Sequence, residues 1–260
     1  MNRYLYLIFF MWSMVVSAEE KADPRVVVLV REFEQSQALN KAGKYADALP
    51  HQLKVVEGIK DFYGDDNEMF AAQLNNLAEL YKWMSQYEKA ESLYQRALSI
   101  YEKKNPNQPA TATSLNNLAG PYENMGKYGK AESLYQRALT IKEKQLGGSD
   151  NLDTALCLNN LGLLYFRTAQ YGKAEPLLQR ALTINEKTLG LDHPNIAAIV
   201  NNLAEFYECM GQYGKAEPLF QRALTIREKQ LGPDHPDTAD VLNNLAVLYK
   251  WAYTLTGQWK

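Results

Sequence analysis

Residues 200–249 read VNNLAEFYECMGQYGKAEPLFQRALTIREKQLGPDHPDTADVLNNLAVLY, and NNLA occurs in this stretch twice, 42 positions apart. The paired asparagines recur along the chain at Asn75-Asn76, Asn116-Asn117, Asn159-Asn160, Asn201-Asn202 and Asn243-Asn244, with spacings of 41, 43, 42 and 42. A second block follows each of the first four pairs: YEKAESLYQRALSI from Tyr87, YGKAESLYQRALTI from Tyr128, YGKAEPLLQRALTI from Tyr171 and YGKAEPLFQRALTI from Tyr213. A degenerate copy, GKYADALPHQLKVV, begins at Gly43 with Tyr45 in register. A fixed period of this length marks stacked supersecondary units, each burying its apolar face against its neighbours. Five helix pairs and half of a sixth are expected.

Each unit reads as two helices. In the first, Leu74, Leu77, Ala78 and Tyr81 recur at steps of three and four and form one apolar stripe. In the second, Ala90, Leu93, Tyr94, Ala97, Leu98 and Ile100 do the same, with small Ala90 and Ala97 letting the paired helix approach closely. Between units, LGPDHPDTA from Leu231 supplies Gly232 as a stop and Pro236 near the next start; Gly64, Gly147 and Gly190 repeat the stop.

The rest of the chain sets its context. With 46% hydrophobic and 22% charged residues the composition is that of a folded protein, and a formal charge of −2 offers no basic excess for nucleic acid or an anionic membrane. The opening MNRYLYLIFFMWSMVVSAEEKADP has Arg3, an apolar run from Tyr4 to Val16, and small Ser17 and Ala18 before charge begins. This is the layout of a cleaved signal peptide over residues 1–18, since the run falls short of the ~20 residues a spanning helix needs. A secreted or periplasmic mature chain without stable membrane insertion is expected, with a linker at 19–25.

These repeats resemble the tetratricopeptide repeat (TPR). Leu74, Leu77, Ala78 and Tyr81 stand where that family has W-x2-L-G-x2-Y, and Ala90, Tyr94 and Ala97 match its second-helix positions. The usual period is 34; at about 42, with LNNLA, KAE-x-L-x-QRAL and LGPDHPDTA together, the chain looks like the kinesin light-chain variety. The resemblance covers roughly residues 26–251, with repeats at 26–62, 67–104, 109–146, 151–189, 194–231 and 236–251, leaving an atypical tail at 252–260. It implies an all-α, right-handed superhelical solenoid whose first helices line a concave groove for a peptide or partner segment. It does not imply a motor role, because no heptad coiled coil precedes the array and the leader directs the chain elsewhere.

A helical wheel places Leu74, Leu77, Ala78 and Tyr81 on one side and Ala72, Glu79 and Trp83 nearly opposite, with Asn75 and Asn76 flanking that opposite direction. The asparagines therefore read as residues of the non-core face. An interior Asn costs a fraction of ~0.7 kcal/mol relative to Ala, so ten of them imply a repeated hydrogen-bonding compensation. One reading makes them a ladder across inter-repeat seams. In the other, implied by the resemblance, the second of each pair (Asn76, Asn117, Asn160, Asn202, Asn244) holds a peptide backbone. Candidate contacts that vary between repeats are Glu79, Lys82 and Trp83; Glu123 and Asn124; Leu163, Phe166 and Arg167; Glu205 and Glu208; Asp240, Val247, Lys250 and Trp251. Five acids against three bases, interleaved with aromatics, point to a protein or peptide partner with apolar anchors and some basic character. The alternative is a structural or regulatory spacer subunit with edge or terminal contacts.

No chemistry assembles elsewhere. His193 and His235 occupy equivalent DHP loops and read as caps, His51 stands alone, and no metal-ligand spacing, phosphate loop or nucleophile motif occurs, so neither enzyme activity nor a cofactor or metal is expected. Charged stretches such as IREK and IKEK read as solvated helix pairs. Gly120-Pro121 interrupts one first helix, where an interior Pro costs ~3 kcal/mol and predicts a kink. Cys157 and Cys209 invite a disulfide in an oxidising compartment, but the repeat register sets them about ten residues, ~15 Å, apart along the helix axis, so two free thiols are expected. After Tyr249 the pattern gives way to KWAYTLTGQWK, which reads as a covered last stripe, a dimer contact or a truncated array.

Overall fold

The computed structural model describes residues 23–145 and 151–256, which hold eleven α-helices and no strand. They are α1 (Pro24–Lys41), α2 (Tyr45–Tyr63), α3 (Glu68–Trp83), α4 (Tyr87–Lys104), α5 (Pro109–Asn124), α6 (Tyr128–Gln145), α7 (Leu152–Arg167), α8 (Tyr171–Leu189), α9 (Pro194–Cys209), α10 (Tyr213–Leu231) and α11 (Pro236–Thr256). Odd-numbered helices carry the asparagine pairs from α3 onward, and even-numbered helices carry the QRAL block from α4 onward. The leader, Gly147 and residues 257–260 lie outside the described residues. α11 continues five residues past the expected end of the array.

Helix ends follow from local chemistry. Asn67 and Asn151 cap α3 and α7 by accepting from the backbone N–H groups of Met69 (2.7 Å) and Thr154 (2.8 Å). His193 and His235 do the same through Nδ1, each accepting from the N–H two residues on at 3.2 Å, which accounts for both DHP histidines. Gly190 and Gly232 end α8 and α10 at φ of +86° and +91°, a left-handed geometry that costs a side-chain-bearing residue energy. α5 runs as one helix through Pro121, because the ring sits in the last turn and removes only one intrahelical bond.

The described residues divide into two compact units, one ending at Lys127 and the other starting at Tyr128. In the first, Phe33, Val55, Ile59, Phe70, Ala71, Leu74, Ala97 and Ile100 form the core. In the second, one cluster gathers Ala155, Leu158, Ala181 and Ile184, and another Ile196, Ala197, Val200, Ala223, Ile226 and Val241. The alanines of the KAE and QRAL motifs are fully buried in both units, as close helix pairing requires.

A polar chain runs through the first core. The Ser36 hydroxyl donates to Gln52 Oε1 (3.0 Å), Gln52 Nε2 donates to Gln73 Oε1 (3.0 Å), and Asn76 Nδ2 donates to the same oxygen (3.1 Å). Gln52, at the position of Tyr94, is 1% exposed, so each link replaces hydration lost on burial.

A second device closes four successive seams. The hydroxyls of Tyr122, Tyr165, Tyr207 and Tyr249 donate to Glu91, Glu132, Glu175 and Glu217 of the preceding even-numbered helix at 2.8, 2.9, 2.9 and 3.1 Å. The same hydroxyls accept from Gln95, Gln136, Gln179 and Gln221 at 2.9, 2.9, 2.7 and 3.2 Å. Each Gln also donates to its own Glu one turn back, which closes a three-member ring. Burial first, and the neighbouring carboxylate as well, hold the Tyr122, Tyr165 and Tyr207 hydroxyls above the ordinary tyrosine range. At the seam of α2 with α3, Leu49 and Leu53 occupy the Glu and Gln places opposite Tyr81.

Candidate functional site

The asparagine pairs sit in seams between odd-numbered helices. Asn202 Nδ2 donates to Asn159 Oδ1 (3.4 Å), and Asn244 Nδ2 donates to Asn201 Oδ1 (3.2 Å) and Glu205 Oε1 (3.1 Å). In the first unit Ser114 donates to Asn75 at 3.3 Å. Asn76 is only 9% exposed and Asn116 7%. The non-core face given by a single-helix wheel is thus a packed seam at these positions, because each first helix meets its neighbours as well as its own partner. Asn117, Asn160, Asn202 and Asn244 are half-buried.

The variable residues fall into distinct environments. In the first unit Trp83 is 51% exposed, lies parallel to Tyr45 with centroids 5.8 Å apart, and carries Lys82 Nζ 4.7 Å from its own ring. Glu79 and Glu123 are half-buried and Asn124 is exposed. In the second unit Phe166 packs edge-on against buried Phe206 at 5.6 Å and beside Tyr171 at 6.1 Å, so its ring belongs mainly to an aromatic cluster. Leu163 is half-buried, and Arg167, Asp240, Val247 and Lys250 are exposed.

Three of the anticipated residues converge. Glu205, Glu208 and Trp251 line one open cleft of about 440 Å³ together with Cys209 and Tyr213. Glu205 Oε1 is held by Asn201 (2.7 Å) and Asn244, while the Glu208 carboxylate has no hydrogen bond or ion pair among the described residues. Burial, and then the charge of Glu205, raise the Glu208 carboxyl above the ordinary glutamate range. The cleft therefore offers uncompensated negative charge beside an aromatic face that is 51% exposed.

Cys209 and Tyr213 are not among the groove candidates expected from sequence, yet the repeat register carries the signal. Cys209 stands seven residues after the second asparagine, as Trp83 and Trp251 do, and Tyr213 opens its helix as Tyr45 does. Both cysteines are free thiols, Cys157 buried and Cys209 exposed. Burial pushes the Cys157 thiol up to about 11, which makes it inert. Among the described residues no group of three or more His, Cys, Asp and Glu is placed to hold a metal, and no helix is long and apolar enough to cross a membrane.

The tetratricopeptide repeat family model matches residues 68–144, 122–187, 153–203 and 195–252. Among solved structures the chain is similar to BtubC (BKLC) from P. vanneervenii, with 26% identity, covering 87% of this chain and 89% of that one, at a TM-score of 0.67. It shares its fold with a kinesin light chain-type protein of nearly identical TPR-like repeats from Podosopora anserina, at 24% identity, 77% and 95% coverage and a TM-score of 0.63. It also shares it with a Rap protein complexed with competence and sporulation factor, at 19% identity, 94% and 71% coverage and a TM-score of 0.69. No curated protein matches the chain in sequence. With the family model spanning most of the chain and a period near 42 residues, the chain belongs to the tetratricopeptide repeat family, in its kinesin light chain-like form.

Proposed function

We propose that this protein is an exported, non-enzymatic scaffold that binds a segment of another protein along the face formed by its first helices. TPR arrays are scaffolds for protein interactions. The observation that carries the reading is the division of labour between the helices. The second helices are near copies bound into seams by the tyrosine rings, whereas the ends of the first helices differ at every repeat and present exposed Trp83 and Trp251. Exposed aromatic anchors beside polar groups are the usual composition of a binding surface. The acidic cleft favours a partner with basic character, and the leader-like opening favours a site of action outside the cytoplasm.

The test is crosslinking of the mature chain in its native compartment, followed by binding of the identified partner to variants at Trp83 and Trp251. Loss of binding by about tenfold or more on changing both to alanine is expected. Undiminished binding would refute the first-helix face. It would favour contacts on α11, where Leu242 is 44% exposed although its counterpart Val200 is fully buried.

A further inference from the structure

The same two aromatics recur by register, and in the first copy they are stacked and carry a cation. Tyr45 and Trp83 in the first unit correspond by register to Tyr213 and Trp251 in the second. In the first copy the molecule supplies its own cation, since Lys82 Nζ sits 4.7 Å from the centre of the Trp83 ring. The counterpart of Lys82 is Lys250, and among the described residues no side-chain cation lies over the Trp251 ring.

The floors of the two copies also differ in charge. Counting back from the tyrosine, the places of Glu205 and Glu208 are taken in the first copy by neutral Gln37 and Asn40. The second copy therefore has two carboxylates where the first has amides, and an empty ring face where the first has a lysine. The Glu208 carboxylate has no partner among the described residues, and Glu205 keeps Oε2 uncommitted because both of its side-chain hydrogen bonds go to Oε1. The surrounding cleft of about 440 Å³ is within the range of side-chain and small-ligand sites.

We propose that this cleft receives the guanidinium of an arginine on the bound partner segment, stacked on Trp251 and donating to Glu208 and Glu205. Arginine suits it better than lysine for three reasons. Its planar ion lies flat on an indole, its forked donors reach two carboxylates at once, and it gives up hydration more readily than an ammonium. The assignment rests on the scaffold reading above and specifies one subsite within it.

The test uses the 15N-labelled full chain and N-acetyl-arginine amide, with the lysine and citrulline amides as controls. Citrulline keeps the shape of arginine and removes the charge. The indole N–H resonances of Trp251 and Trp83 report separately, each assigned by its Trp→Phe variant. Arginine amide is expected to shift Trp251 saturably and leave Trp83 unmoved, with lysine amide weaker and citrulline amide silent. Glu208→Gln is expected to weaken arginine by about fivefold or more, as the loss of a charge-assisted hydrogen bond does. Equal responses to arginine and citrulline, an unmoved Trp251, or unchanged affinity in Glu208→Gln would overturn the assignment, and the citrulline comparison holds even if the variant folds poorly. Failure here with partner binding still dependent on Trp83 sinks the subsite and spares the scaffold reading. Success here with partner binding indifferent to both tryptophans does the reverse.

Discussion

Replacing Tyr207 by phenylalanine removes one oxygen from a seam and leaves the buried ring in place. That oxygen donates to Glu175 at 2.9 Å and accepts from Gln179 at 2.7 Å. A hydrogen bond to a carboxylate contributes about 1.5–3 kcal/mol and a neutral one about 1 kcal/mol. The loss is partly offset, because Gln179 still reaches Glu175 at 3.2 Å and, being exposed, regains water. A net destabilisation of about 1–2 kcal/mol remains, read as a lower urea midpoint at unchanged slope or a melting temperature lower by roughly 2–8 °C. Two relatives calibrate the measurement. Tyr249→Phe removes longer contacts of 3.1 and 3.2 Å and should cost less than about 1 kcal/mol. Tyr81→Phe, with Leu49 and Leu53 at the Glu and Gln places by register, has no such bonds to lose and should stay within about 0.5 kcal/mol. A double-mutant cycle of Tyr207→Phe with Glu175→Gln should show a coupling of at least ~0.5 kcal/mol. Equal losses in Tyr207→Phe and Tyr81→Phe, or a cycle that sums to zero, would refute the ring as a source of seam stability.

The thiols should separate sharply under Ellman's reagent. Exposed Cys209 reacts in the native state, whereas Cys157, 2% exposed and raised to about 11, reacts only on unfolding. Because that raised value disfavours the thiolate in the folded state, this group's contribution is intact below the ordinary thiol value of 9.0 and lost as pH rises toward about 11, so the alkaline limb of a stability profile should move up in Cys157→Ala. Glu208 likewise has a raised folded-state pKa, so its stabilising influence belongs to acid pH and fades as pH rises through that value. Glu208→Gln should therefore melt higher than the parent at pH 7 and not at pH 3, and a lower melting point at pH 7 would contradict the unpaired carboxylate. Gln52→Ala should cost about 3 kcal/mol in urea unfolding, because it opens a cavity and strands the buried Ser36 hydroxyl; a loss under ~1 kcal/mol would show that the polar chain contributes little.

The hairpin array was legible because each unit repeats the same solution, so a weak local signal is read five times over. The caps were legible for a similar reason, since histidine before proline in a DHP loop has few other uses. The seams were not. Glu175 and Gln179, one turn apart, look like any solvated pair on a helix surface, and their partner Tyr207 lies a whole unit further along the chain. Asn76 was placed on the wrong side for a related cause: a helical wheel assumes one packed face, while a helix inside a stack has neighbours on several. The cleft was half legible. Glu205, Glu208 and Trp251 stood out by their chemistry, but Cys209 and Tyr213 needed the repeats to be overlaid across helices.

The polar chain from Ser36 through Gln52 to Gln73 has a consequence for how the array finds its order. The later second helices are nearly identical in sequence, so a folding intermediate that skips a unit and docks α8 where α10 belongs meets almost the same surface. At α2 such an exchange is penalised, since a second helix with Leu178 or Phe220 in the place of Gln52 leaves the buried Ser36 hydroxyl without its acceptor, at about 1–3 kcal/mol. The first hairpin is thus keyed to a single neighbour while the later ones are interchangeable, and slipped-register species should be confined to the hairpins that follow it.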